Sequence, residues 1–289
     1  MAPVRIPFRI VDVFTDRPLA GNQLCVVPGP ISLPDADMQA IAQEMGFSET
    51  TFVTEASGDR YAMRIFTPGG ELPFAGHPSL GTAFVLVSER RVSSPATQVV
   101  AAGEVPMSVD LEARTARMRQ FPPRFKDTMD GVEDVAAAVG LSVDELHADL
   151  PAQVVSTGID VLVVPVRDAG AVSRAAPSPA KLTALVGSVG TDGLYLAALE
   201  GDGVHARFFT SGAAVDEDAA TGSAAGPCGA YFVERQVLPA GRVTIRQGIE
   251  MGRPSTLLVD VERAPNGVWE IHVGGGVATV GSGEFDLPL

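Results

Sequence analysis

Cysteine is nearly absent: Cys25 and Cys228 are the only two among 289 residues, alongside one tryptophan and three tyrosines. Two thiols cannot build a disulfide framework or a structural zinc site, and so sparse a use fits a reducing, cytoplasmic setting. Basic residues are also scarce, with Lys+Arg 21 against Asp+Glu 35 and a net charge of −14. That balance lacks the electrostatic footprint of a nucleic-acid or anionic-membrane partner. A small anionic substrate is still compatible with it, because such a ligand feels local dipoles more than net charge. No apolar run approaches the ~20 residues of a membrane span. The opening residues, which include Pro3, Arg5, Pro7 and Arg9, hold no signal-peptide stretch. His77, His147, His205 and His272 are scattered without HExxH or paired Cys/His spacing. There is also no GxGxxG, no P-loop and no GxSxG, so no metal and no cofactor is expected.

What is present is a globular composition, 46% apolar and 19% charged, long enough for one large domain or two ordinary ones. Phe8–Phe14 and Leu24–Val27 read as strands around the Pro18, Gly21, Asn22 turn segment. Met38, Ile41, Ala42 and Met45 fall at helical spacing ahead of Gly46. A strand resumes at Thr51, which leaves Glu49 in a tight helix-to-strand connection. Tyr61–Thr67 reads as a strand broken by Pro68-Gly69-Gly70, and a helix is predicted from Gly76-His77-Pro78 towards Arg90.

More strands fill 97–121 before Pro122-Pro123, which marks a boundary between domains at 1–122 and 123–289. The second half opens with helical spacing at Val132, Val135, Ala136 and Val139 and a Ser142–Glu145 capping box. Strands follow at 161–166, 194–199 and 206–210, then a helix after Thr221-Gly222-Ser223 that ends near Arg235. Strands return at 242–246, 255–261, 268–273 and 276–280, with Gly274-Gly275-Gly276 read as a bend or bulge. The last strand, near 276–289, is one able to return to the first half. The fold class is α+β and strand-rich, in two halves.

The two halves contain an internal repeat. Arg64-Ile-Phe-Thr-Pro-Gly, Glu71 and the small-residue turn Ala75-Gly-His-Pro are echoed by Arg207-Phe-Phe-Thr-Ser-Gly, Glu217-Asp218 and the turn Ala220-Thr-Gly-Ser. Arg64 matches Arg207 at an offset of 143, and Glu89 matches Glu234 at 145, which sets Ala75 opposite Ala220. Each unit reads strand, acidic loop, small-residue turn, helix. A helix that opens on small residues presents unpaired N–H groups and a positive dipole end, suited to a carboxylate or to developing negative charge. Gly and Ala clusters more commonly serve close packing, so the repeat alone leaves both readings open.

The match becomes specific at four stretches: Ser48-Glu49-Thr50, Glu71-Leu-Pro-Phe-Ala-Gly-His77-Pro, Glu217-Asp218-Ala-Ala-Thr-Gly-Ser223-Ala and Gln247-Gly-Ile-Glu-Met-Gly-Arg-Pro-Ser255. Together with Val11-Asp-Val-Phe14 and Ala20-Gly-Asn22, they resemble the phenazine-biosynthesis PhzF-like family over essentially the whole chain. The resemblance implies a diaminopimelate epimerase-like fold. Two pseudo-symmetric domains would each wrap a curved, mainly antiparallel sheet around a central helix, with the site between them. It also implies a homodimer without organic cofactor, and a best-understood member that isomerises trans-2,3-dihydro-3-hydroxyanthranilate. Carried over by position, Glu49 resembles the catalytic general acid/base, and His77 and Asp218 its polar assistants. Gly76, Gly222 and Ser223 resemble substrate anchors at the helix starts. The chain departs from the family at Ala219, where a proline is common, and at Gly69-Gly70.

These residues suit carbon-acid chemistry. A weak carbon acid needs a base held close and a means to spread the resulting charge, and a desolvated glutamate has its pKa raised towards working pH. His77 can donate or accept near neutrality. The expected function is a cofactor-independent isomerase that moves a proton and a double bond in a small, carboxylate-bearing, amino-acid-like metabolite. Two alternatives stand beside it: an amino-acid epimerase or racemase on the same fold, and a non-catalytic ligand-binding relative. Ala75 and Ala220, at the positions where such epimerases carry cysteines, disfavour the two-thiol version.

Overall fold

A computed structural model describes residues 4–101, 103–191, 193–211 and 216–287. The chain divides into two compact units, Met1–Arg119 with Gly274–Leu289, and Gln120–Val273. The first unit runs β1 (Val4–Val13), β2 (Asn22–Val27), α1 (Asp35–Met45), β3 (Glu49–Ser57), β4 (Arg60–Thr67) and β5 (Gly70–Leu72). It continues with α2 (Gly76–Ser88), β6 (Ala96–Val100), β7 (Gly103–Asp110) and β8 (Thr115–Gln120). The second runs β9 (Arg124–Thr128), α3 (Val132–Val139), β10 (Gln153–Ser156), β11 (Asp160–Pro165), α4 (Ala169–Arg174) and α5 (Pro179–Val189). Next come β12 (Gly193–Glu200), β13 (Gly203–Thr210), β14 (Glu217–Asp218), α6 (Gly222–Glu234), β15 (Gly241–Gln247) and β16 (Ser255–Arg263). The last strand, β17 (Trp269–Leu287), starts in the second unit and ends in the first, where it lies antiparallel to β1.

One order of pairings occurs in both units. In the first, β1–β2 is antiparallel, β2–β3 parallel, β3–β4 and β4–β5 antiparallel, β4–β6 parallel and β6–β7 antiparallel. In the second, β10–β11, β11–β12, β12–β13, β13–β14, β13–β15 and β15–β16 follow with the same alternation. In α2 every residue from Gly76 to Val87 is buried, and the helix touches β1, β2, β3, β6 and β7. A helix buried on every side belongs to the core rather than to the surface. Gly81 permits the approach, since a Cβ there would stand 2.5 Å from Leu24 and 2.9 Å from Val13. In α6 only Ser223 and Glu234 escape full burial, and Gly229 makes the corresponding concession to Val259 at 2.8 Å.

The remaining helices cover other sheet surface. Met38, Ile41 and Ala42 of α1 pack with Phe52 and Phe66, and α1 stops at Gly46, whose φ of 63° favours glycine. Helices α3, α4 and α5 join β10–β13 in one apolar cluster. The sequence reading gives no element for the stretch that α4 and α5 occupy, although Leu182, Leu185 and Val186 carry helical spacing behind Pro179. The Ser142–Glu145 box forms, with the Glu145 carboxylate accepting from the Ser142 N–H and hydroxyl, but it heads a 3₁₀ turn rather than an α-helix. Both cysteines are buried and free, and burial pushes the Cys25 thiol up to about 12.

Two expectations are corrected. Gly274-Gly275-Gly276 is no bend: it lies inside β17, and the β1–β17 register shift falls nearer the end, between Gly281 and Thr279. The glycines are there for backbone contact, because a Cβ on Gly276 would stand 2.4 Å from the Thr15 carbonyl. The second correction concerns the repeat. Helices α2 and α6 start at 76 and 222 and end at 88 and 234, an offset of 146 rather than 145. The residue matching Ala75 at the N-cap is therefore Thr221, not Ala220.

Candidate active site

Glu49 is the first residue of β3, rather than part of the connection before it, and it lies opposite Leu24 of the parallel strand β2. Asn22 opens β2 directly after Gly21, which has φ 67° and no room for a side chain, since a Cβ would stand 2.4 Å from the Val13 carbonyl. His77 is the second residue of α2 and is 3% exposed. These three elements converge. His77 Nε2 stands 3.5 Å from Glu49 Oε2 and 3.3 Å from the Gln23 carbonyl, while Nδ1 stands 3.3 Å from Asn22 Nδ2. The Ser48 hydroxyl donates to Asn22 Oδ1 at 3.2 Å.

The Glu49 side chain is 15% exposed, and its Oε2 is buried without a hydrogen-bond partner among the described residues. Desolvation therefore disfavours the ionised form. Burial pushes the Glu49 carboxyl up to about 7, against a smaller opposing pull from the Ser48 hydroxyl. A carboxyl divided between its two forms near neutrality can accept a proton and return it.

In the second unit, Asp218 ends β14 opposite Phe208. Its Oδ2 accepts from the Thr221 hydroxyl at 2.6 Å. Thr221 is the N-cap residue of α6, yet its side chain does not cap the helix, and Ala75 before α2 has no side chain able to do so. Both helix starts, at Gly76 and at Gly222-Ser223, thus lack a side-chain cap. Beneath the Asp218–Thr221 loop lies Gln247, 0% exposed. Its Nε2 donates to the Asp218 carbonyl at 2.8 Å and to Thr221 Oγ1 at 3.1 Å. Its Oε1 accepts from the Tyr195 hydroxyl at 2.8 Å and the Thr221 N–H at 3.1 Å. Ser255 donates to the Ala219 carbonyl at 3.2 Å. The Gln247–Ser255 stretch, noted in the sequence without a task, holds this loop.

The structure thus brings Glu49, Gly76 and His77 together in the first unit, and Asp218, Gly222 and Ser223 together in the second. It adds Asn22, Ser48, Thr221 and Gln247, all quoted from the sequence but given no role there. For Gln247 the available signal was a carboxamide in line, at every second position of its strand, with the apolar Val243 and Ile245, where a buried amide must find hydrogen-bond partners.

An Arg–Glu pair stands before each helix. Arg64 on β4 makes a two-pronged contact with Glu71 on β5 at 2.7 and 2.6 Å, and Arg207 on β13 contacts Glu217 on β14 at 2.8 and 2.8 Å. Each guanidinium lies over a phenylalanine two residues on, Phe66 at 5.0 Å and Phe209 at 4.7 Å. With these anchors aligned, Thr50 opposite Phe66 corresponds to Leu194 opposite Phe209, so Glu49 corresponds to Gly193.

A family model described as "Phenazine biosynthesis-like protein" matches residues 11–283. The chain belongs to this family. It is 34% identical over 285 residues to the trans-2,3-dihydro-3-hydroxyanthranilate isomerase of Pseudomonas aeruginosa, covering 96% of this chain and 98% of that protein. A phenazine biosynthesis protein of the PhzF family from Bacillus anthracis superposes with a TM-score of 0.88 at 29% identity, covering 98% and 99% of the two chains. The fold extends to a hydroxyproline epimerase from Agrobacterium vitis, with a TM-score of 0.66 at 13% identity and coverage of 98% and 93%. Kinship within the phenazine biosynthesis-like family makes this chain an isomerase.

Proposed function

We infer that this isomerase moves a proton, and with it a double bond, in a small carboxylate-bearing, amino-acid-like metabolite similar to trans-2,3-dihydro-3-hydroxyanthranilate. Glu49 acts as the general acid/base. The observation that carries the reading is the buried Glu49 carboxyl beside His77, with its pKa raised to about 7. The ionised carboxylate takes a proton from a carbon next to the unsaturated system, and the electron pair left behind shifts along the double bonds. The carboxylic acid then delivers the same proton to a more distant carbon, so no proton or electron is gained or lost. His77 steadies the carboxylate and the charge that develops. Asp218 and Ser223 are assigned as polar assistants within their own unit, and each uncapped helix start, at Gly76 or at Gly222, has N–H groups suited to an anion.

The chemistry as written draws on no cofactor. A homodimeric, cytoplasmic enzyme belongs to the same proposal, as does its construction from two pseudo-symmetric epimerase-like domains, and the recurring strand order and Arg–Glu pairs support that last part. An epimerase needs two groups on opposite faces of one carbon. Gly193 corresponds to Glu49, and neither Ala75 nor Thr221 supplies a thiol, so the residues favour one base over two. The test is incubation of trans-2,3-dihydro-3-hydroxyanthranilate and related unsaturated amino acids with the protein in deuterated water. Double-bond migration lost on Glu49→Gln is expected. Inversion of one carbon without double-bond movement, or turnover indifferent to Glu49, overturns the reading.

A further inference from the structure

We propose that Asn22 is a positioning residue that locks His77 as the neutral imidazole with its hydrogen on Nε2, leaving Glu49 as the only proton acceptor of the pair. The inference rests on the Glu49 reading above but concerns which atom of His77 holds a hydrogen. A neutral imidazole has one donor and one acceptor nitrogen, and its environment selects which is which. Two contacts make the same selection. On one side, Asn22 sets its Nδ2 amide 3.3 Å from His77 Nδ1 and its Oδ1 3.2 Å from the Ser48 hydroxyl. An amide nitrogen can only donate, so Nδ1 must be the bare, accepting nitrogen. On the other side, the Gln23 carbonyl lies 3.3 Å from Nε2. A carbonyl can only accept, so Nε2 must carry the hydrogen. Rotating the Asn22 amide by half a turn would pair Oδ1 with an Nδ1–H and leave a bare Nε2 facing two acceptors, Gln23 O and Glu49 Oε2, which is unfavourable.

The lock has a chemical consequence. With Nε2 protonated, His77 presents an N–H towards Glu49 Oε2 at 3.5 Å. It can steady the carboxylate but cannot take the proton that Glu49 lifts. Adding a second hydrogen at Nδ1 would set two donors, the imidazolium N–H and the Asn22 amide, against each other in a site where Asn22 is 4% and His77 3% exposed. The pair therefore has one base with a fixed donor beside it, and the lifted proton is held on Glu49 until it is returned.

The experiment reads nitrogen signals of the full-length protein labelled with ¹⁵N-histidine, with the four imidazoles assigned by their loss in single His→Gln variants. A bare Nδ1 and a protonated Nε2 on His77 are expected. Asn22→Asp keeps the shape but replaces the donor with an anionic acceptor, and should move the hydrogen to Nδ1, lowering the Nε2–H neutral form by roughly tenfold or more. A protonated Nδ1 in the wild type, or averaged signals from both forms, overturns the proposal. An Asn22→Asp spectrum identical to wild type overturns it as well. Should that variant fail to fold, the wild-type spectrum decides alone. No substrate is present, so an unsuccessful isomerase assay leaves this result standing, and a wrong tautomer leaves the isomerase reading intact.

Discussion

His77 Nε2 and Glu49 Oε2 stand 3.5 Å apart at the meeting of a helix start and a strand start, with the carboxylate oxygen buried and otherwise unpartnered among the described residues. The pair is close enough for charge to be felt and too long for a strong hydrogen bond. That spacing leaves the carboxyl free to titrate near neutrality rather than holding it ionised.

The first consequence is kinetic. Proton abstraction needs ionised Glu49, so kcat/KM for isomerisation should rise with pH through about 7 and then level off. Glu49→Gln should lower it by about 10²–10⁴-fold. A pH–rate profile of both proteins with trans-2,3-dihydro-3-hydroxyanthranilate checks this, and a wild-type profile flat across that range would count against Glu49 as the base.

The second is thermodynamic, and its sign is opposite to that of a paired carboxylate. Below the ordinary value of 4.5, Glu49 is protonated in both folded and unfolded chains. Between 4.5 and about 7 the unfolded chain gives up the proton while the folded one keeps it, so stability falls as pH rises. The full effect above that window is at most roughly 3 kcal/mol. Glu49→Gln should therefore gain stability relative to wild type as pH rises across the window, as urea unfolding at its two ends would show.

Gln247 offers a test in the second unit. Replacing it with Leu leaves the Tyr195 hydroxyl and the Thr221 N–H without their acceptor. A loss of about 2–4 kcal/mol in denaturant unfolding is expected, since each buried orphan costs about 1–3 kcal/mol. A change below 1 kcal/mol, roughly the net worth of one ordinary hydrogen bond, would mean that the loop finds other support.

Gly226 faces Gln120, which donates to the Gly222 carbonyl at 2.9 Å and accepts from Thr157 at 2.6 Å. A Cβ on Gly226 would stand 1.8 Å from Gln120 Oε1. Gly226→Ala should cost about 1–3 kcal/mol by displacing that side chain. Because the obstructing atom ends a flexible chain, Gln120→Ala in the same protein should recover part of the loss, giving a non-additive double-mutant cycle.

The two Arg–Glu pairs share a geometry but not an environment. Arg207 and Glu217 have side chains 10% and 18% exposed, and Arg207 also donates to the Val172 and Ala175 carbonyls. Arg64 and Glu71 are 29% and 40% exposed. Arg207→Met should destabilise by about 3–5 kcal/mol, because Glu217 is left as a largely buried charge without its partner. Arg64→Met should do far less, since water solvates what is left. Equal effects in thermal unfolding would contradict this.

Much of this architecture is written in periodicity. Met38, Ile41 and Ala42 announce α1, and the small residues after Gly76 and Gly222 announce two helices that lie against sheet. The helices at 169–174 and 179–189 escape notice because Ala, Gly and Ser dilute their apolar stripe. The repeat is visible, yet its offset is one residue short: Glu89 and Glu234 look alike in sequence, while the hydrogen-bonded turns set Arg235 in Glu89's place. Glu49 and His77 are named by their motifs. Their contact, and the roles of Asn22 and Gln247, depend on strands folding beside one another, which residue spacing does not encode.

Strand β17 has a bearing on synthesis. The Gln120–Val273 unit is a continuous stretch of chain, whereas the other needs Gly274–Leu287 laid against Val4–Val13. As the polypeptide leaves the ribosome, the later-made middle portion can assemble while the earliest strands still await their neighbour.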